Sequence, residues 1–224
     1  MKTNNTKALG TAPVGPLLLK LSIPAMAGMF MLSLYNVVDA FFVGRGVGAL
    51  GIASVFISFP ATLVIMAVSQ TFGVGGASVI ARALGAGRND DASAALGTIM
   101  TSGLLCALVM TAFLMIFTRP LLLMLGANHE IIESSLTYAD IIFIGTPVFF
   151  MMMVFNNLVR GEGNTRLSML SMAISSGVNI ALDPLFIFVF KWGLAGAAIA
   201  TGVGYIVGSG VMLRYMLRHS RTLH

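Results

Sequence analysis

The sequence predicts an all-α membrane protein, a bundle of six transmembrane helices, and three observations lead there. Of its 224 residues 57% are hydrophobic and 9% charged, where a soluble domain carries roughly 25% charged residues. The mean hydropathy is +0.94. The apolar residues gather into six stretches, at about 17–43, 51–79, 94–117, 133–158, 167–190 and 194–217. Each reaches the ~20 residues needed to cross a bilayer. The 25 Gly and 16 Met suit this class, because Gly allows close helix contact and Met packs adaptably around varied apolar groups.

In chain order, residues 1–16 are polar, with Lys2, Lys7, Pro13 and Pro16, and read as a cytoplasmic tail leading into a helix. The first span begins near Lys20, with Pro24 early and Asp39 late. Pro24 removes one helical hydrogen bond and predicts a bend, which serves either packing or a hinge. The second and third spans are joined by a loop at 81–91 with Arg82, Gly85, Gly87 and Arg88, and the fourth and fifth by Arg160-Gly161-Glu162-Gly163-Asn164-Thr165-Arg166. Both combine Gly for tight turns with Arg at the membrane surface. Neither has the lysine and spacing of a P-loop, so tight hairpins are expected rather than phosphate cradles.

The fourth span holds Tyr138, Asp140, Asn156 and Asn157, read as helix-contact residues or as polar lining. Its run Phe149, Phe150 and Met151 to Met153 forms a soft apolar wall, expected to face lipid or packing partners, with a ligand lining as the alternative. Residues 167–217, the last two spans, contain the polar groups considered next.

Orientation follows from Lys and Arg in the loops. With the N-terminus inside, the inner side holds Lys2, Lys7, Lys20, Arg82, Arg88, Arg160, Arg166, Arg214, Arg218 and Arg221, and the outer side Arg45, Arg119 and Lys191. That is 10 against 3, summing to the 13 in the chain, and it places both termini in the cytoplasm. The basic residues are scattered over short loops, which argues against nucleic acid as a partner. The first apolar run is too long for a cleaved leader and lacks a cleavage-site pattern. Cys106 is the single cysteine and reads as a small core residue. An enzyme needs a nucleophile with a base, or a metal site. His129, His219 and His224 all lie in loops or the tail, and neither aspartate of interest has the Gly-Asp context of an aspartyl protease. No enzyme and no cofactor are expected.

The run Asn179-Ile180-Ala181-Leu182-Asp183-Pro184-Leu185-Phe186-Ile187-Phe188 puts an amide, a carboxylate and a proline inside an apolar span. Asn179 and Asp183 are four apart and share one helix face. Pro184 leaves the carbonyl of Ile180 without its helical donor. Polar groups placed this way in a membrane are costly, so they point to ion or substrate handling or else to a capped structural kink. At a rise of about 1.5 Å per residue, Asp39 lies about 9 Å before Arg45, Asp183 about 12 Å before Lys191, Thr201 about 12 Å past Gly193, and Asp140 about 10 Å past Glu133. Acids or hydroxyls from four spans thus reach one layer in the outer half of the membrane, although equal depth does not establish contact. If Asp39 and Asp183 face each other, both cannot stay charged cheaply, and the site takes up a proton or a hard cation. Carboxylate, amide carbonyl and hydroxyl oxygens suit Na⁺.

Several of these segments carry a resemblance. They are Ser22-Ile23-Pro24, Asn36-Val37-Val38-Asp39, the loop at 81–88, the loop Arg160 to Arg166, Asn179 to Pro184, and Trp192-Gly193-Leu194-Ala195-Gly196-Ala197-Ala198. From about Pro16 to Arg218 the chain resembles the N-terminal half of a multidrug and toxic compound extrusion (MATE) transporter, nearest the prokaryotic DinF-like branch. The resemblance implies one lobe of a 12-helix transporter: residues 17–217 as the six-helix lobe and 218–224 as the start of a cytoplasmic linker to a second six-helix lobe. It implies a cation-coupled antiporter, driven by H⁺ or Na⁺, that exports amphipathic or cationic organic compounds from a prokaryotic inner membrane. By matching motif positions it assigns Asp39, Asn179, Asp183 and Thr201 to a cation site and Pro24 to the hinge of the first helix. That family has two lobes and this chain stops at His224, so a fragment, a truncated product or a lobe pairing with another chain is expected. The alternatives are a lipid-linked oligosaccharide flippase of the same superfamily, which tends to carry basic residues in its cavity, and a non-transporting membrane remnant.

Overall fold

The computed structural model describes residues 13–219, and all its regular elements there are helical. They are α1 (Val14–Gly46), α2 (Ala49–Gly85), α3 (Asn89–Met124), α4 (Ile132–Ile144), α5 (Thr146–Gly161), α6 (Thr165–Pro184) and α7 (Gly193–His219), with a π-helical turn at Leu185–Val189 after α6. Most of the expected tail at 1–16 and linker at 218–224 lies outside the described residues. Five helices are long and apolar enough to cross a membrane, and α4 with α5 makes the sixth span.

The structure differs from the expected spans in two ways. First, α1, α2 and α3 run to 33, 37 and 36 residues, so Arg45, Arg82 and Arg119 lie inside helices near their ends rather than in loops. Continuing the helix keeps the backbone bonded at the membrane edge while the long basic side chains reach water. Second, the stretch 133–158 is not one helix. It bends by 50° between α4 and α5. The cause is Gly145-Thr146-Pro147: Pro147 sits in the first turn of α5, where its missing N–H costs nothing, but its ring and lost donor prevent a straight helix through the break.

The α2–α3 and α5–α6 connections are tight turns, with Gly87 at φ 72° and Gly163 at φ 83°. Both values favour a residue without Cβ. Asn164 caps α6 by accepting from the backbone N–H of Leu167 at 3.3 Å. The α1–α2 turn stands at the opposite end of the bundle.

α1 packs chiefly against α6, and α6 against α7, while α2 packs against α5 and α3. α4 bridges the two groups through α3, α7 and α2. The sparse contact between α1 and α2 leaves the bundle open between them. Gly28 lets α1 approach α6 closely: a Cβ there would meet the Met172 sulfur at 3.0 Å. The core is apolar and centred on α5, with Phe143, Phe150, Ile65, Leu96 and Val159 fully enclosed. Phe30, Phe113, Ile116 and Met124 point outward, as a lipid-facing surface requires.

Candidate functional site

Asp39 and Asp183 lie side by side between α1 and α6. Asp39 is brought there by the close packing of α1 on α6, and Asp183 by its place one residue before Pro184. Both are buried, at 6% and 0% exposure. One oxygen of Asp39, Oδ1, has no hydrogen-bond partner among the described residues. One turn before Asp183, Asn179 faces Thr201 of α7. With its amide turned so that nitrogen faces the carboxylate, Asn179 donates to Asp183 Oδ2 at 3.2 Å and accepts from the Thr201 hydroxyl at 3.1 Å. It also accepts from the Thr201 backbone N–H at 3.2 Å. In the opposite orientation the amide nitrogen donates to the Thr201 hydroxyl at 3.1 Å and to Asp183 Oδ1 at 3.4 Å, but the Thr201 backbone N–H loses its acceptor in Asn179. After Pro184 the chain widens into the π turn, with Phe190 N–H donating to the Leu185 carbonyl at 2.9 Å.

In front of this cluster lies a cavity of about 410 Å³ that opens between α1 and α2, within the range of small-molecule sites. Asp39, Thr201, Tyr35, Tyr138 and Tyr205, with Ser33, Asn36 and Thr62, supply its polar wall. Phe56, Phe59, Phe149, Met66 and Met153 supply much of the rest. Asp39 is the one charged side chain in the lining, and Asp183 and Asn179 stand behind it. The Tyr35 and Tyr205 hydroxyls lie 3.3 Å apart, joining α1 to α7, and the Tyr205 ring packs against Phe149 at 4.8 Å between centroids.

The other residues singled out from sequence go elsewhere. Asp140 is half-buried on α4 and lines neither described cavity. It is two residues from Tyr138, about 200° around the helix, so it turns away from the cavity that Tyr138 faces. Asn156 sits at the far end of the bundle, accepting from the Ser168 hydroxyl at 2.6 Å. Pro24 lies within the continuous α1. The apolar run at 149–153 is not a lipid face: Phe149, Phe150, Met152 and Met153 are buried. Phe149 and Met153 line the cavity instead. The reason is the 50° break, which turns α5 inward so that its whole circumference is packed. Sequence reasoning passed over Tyr35 and Tyr205, yet each is one helical turn from a residue it did select, Asp39 and Thr201.

Among the described residues there is no group of three or more His, Cys, Asp or Glu, so a transition-metal centre has no ligand set here. A hard cation has four oxygen-bearing side chains to draw on, and the unpartnered Asp39 Oδ1 suits it. The Asn179 oxygen, however, is engaged by Thr201, and its nitrogen faces the acid.

The MatE family model matches residues 24–185. Multidrug export protein MepA of Staphylococcus aureus is 24% identical over 220 residues, which cover 98% of this chain and 49% of MepA. A FAD transporter of Shewanella oneidensis is 30% identical over 210 residues, 91% of this chain and 46% of its own length. A crystal structure of MATE in the bent conformation superposes with a TM-score of 0.91 at 31% identity, covering 99% of this chain and 49% of the other. The chain spans about half the length of the curated relatives it matches.

Proposed function

The chain belongs to the MatE family, and from that premise we propose that it is the ion-coupled lobe of an exporter of amphipathic, often cationic, organic compounds. One observation carries this reading: a buried carboxylate, Asp39, faces an otherwise uncharged cavity rich in aromatic side chains and has a second carboxylate, Asp183, beside it. An organic cation in the cavity is drawn by that charge and by the faces of the surrounding rings. Two adjoining carboxylates in a water-poor site need a proton or a cation between them. Taking up the coupling ion therefore removes the charge that holds the guest, and the two compete. The orientation of Asn179 favours H⁺ over Na⁺ as that ion. Pro24, some fifteen residues before Asp39, supplies the hinge through which α1 answers the change.

The excess of Lys and Arg on one side supports a lobe with both termini in the cytoplasm, and the family supports a prokaryotic inner membrane. A second six-helix lobe completes the transporter, since its relatives are about twice as long and alternating access requires one half to move against another. The lining of the cavity holds no Lys or Arg, which disfavours a lipid-linked oligosaccharide, and likewise an anionic guest such as FAD.

The test is ethidium binding to the purified chain in lipid nanodiscs, followed by fluorescence across pH. Affinity should fall as pH falls. Asp39→Asn should bind about tenfold or more weakly at alkaline pH, the loss of about 1.4 kcal/mol or more expected for removing a close charge partner. It should also lose the pH dependence. Equal binding by wild type and Asp39→Asn at every pH sinks the reading.

A further inference from the structure

Beside the large cavity lies a second, partly open recess between α1, α5, α6 and α7. Its space for water is about 10 Å³, close to the least that admits one molecule. Leu32, Tyr35, Thr201 and Tyr205 line both spaces and stand between them. Ser175, Ser176 and Asn179 complete its polar wall. Met152 and Met172 line the other side, so an occupant is held from the polar side alone.

Ser176 is the informative residue. It is 3% exposed, and its hydroxyl makes no hydrogen bond to any described residue. Its neighbours are engaged: the Ser175 hydroxyl donates to the Gly204 carbonyl at 2.8 Å, and Thr201 donates to Asn179. Each of those oxygens still has a lone pair to offer. A serine hydroxyl without a protein partner, in a recess of this size with several further oxygens in its lining, suits one ordered water with two to four partners.

We infer that this void is a binding site for one ordered water, held by Ser176 and linking α6 to Tyr35 of α1 and Thr201 of α7. The water acts on the acidic pair through position. It braces Asn179 and Thr201, whose mutual bond keeps the amide nitrogen turned to Asp183. It also lies beneath the Tyr35–Tyr205 contact, the side-chain hydrogen bond that ties α1 to α7. The titratable groups facing the pair are Tyr35 from α1, Tyr138 from α4 and Tyr205 from α7; α2 and α5 contribute none to either lining. Ser176 is thus a positioning residue, and this second role rests on the proton-coupled reading above.

Two measurements test it on the 224-residue chain. A crystal structure from lipidic mesophase, at a resolution that shows waters, should place one within hydrogen-bond distance of Ser176 Oγ. Continuous void there in wild type overturns the site. The ethidium–pH titration is then run on Ser176→Ala, which removes the anchor, and on Ser176→Val, which also fills the space. The midpoint should shift by about 0.5 pH unit or more, about threefold in proton affinity, in Ser176→Val, with alkaline ethidium affinity held. An unmoved midpoint in both variants overturns the positioning role. A wild-type titration with no pH dependence instead refutes proton coupling and with it that role, while the crystallographic water still decides the site.

Discussion

Gly204 offers a test of how the site is held, because it lies where α6 and α7 touch. A Cβ at Gly204 would lie 2.9 Å from the Ser175 carbonyl oxygen and 3.5 Å from Asn179 Cβ. Ordinary contact begins at 3.4 Å, so the helices must part by about 0.5 Å (3.4 − 2.9), since a helix carbonyl in a packed interior does not swing aside. The same movement stretches the 2.8 Å bond from Ser175 to Gly204 and carries the 3.1 Å contact of Asn179 with Thr201 beyond a good hydrogen bond. Overpacking costs about 1–3 kcal/mol, and each weakened bond up to about 1 kcal/mol more. Gly204→Ala should therefore destabilise the chain by about 2–4 kcal/mol. Gly202→Ala, on the same helix with nothing within 4 Å, is the control, neutral or stabilised by up to about 1 kcal/mol of helix propensity. Thermal unfolding of both in one detergent reads the difference. At about 2–4 °C for each kcal/mol in a chain of this size, the two should separate by about 5 °C or more. If Gly204→Ala melts with Gly202→Ala, α6 and α7 are not packed as described, and the link from that seam to Asn179 falls.

Three further outcomes are expected. Asp140→Asn should leave ethidium affinity and its pH dependence as in wild type; a loss like that of Asp39→Asn would return Asp140 to the site. Asn156→Ala strands the buried Ser168 hydroxyl and should cost about 1–3 kcal/mol in thermal unfolding, without altering ethidium binding, because Asn156 lines neither void. Arg119→Ala breaks an exposed ion pair with Glu133. Its melting temperature should move by no more than about 0.5 kcal/mol requires.

The family was legible in short motifs, and the six apolar runs were legible as spans because bilayer thickness sets a minimum length that composition alone reveals. The inward turn of α5 was not. Gly145 and Pro147 stood in the sequence as helix breakers, but a stretch of 26 residues from 133 to 158 also satisfied the length rule, and periodicity does not tell a broken span from a straight one. Ser176 was invisible for a different reason. Its role depends on a void bounded by four helices, and no spacing within α6 encodes the shape of the gap its neighbours leave.

Asp39, Asp183 and Thr201 were placed in one layer by counting alone, since the rise of a helix converts residue number into depth. Asp140 passed the same count. What separated it from the others is rotation about the helix axis and the choice of neighbour, which depend on which glycines admit which partner helix. Depth is a property of one chain segment, while facing is a property of packed pairs. The first was determined by the sequence of each span, and the second only by the assembled bundle.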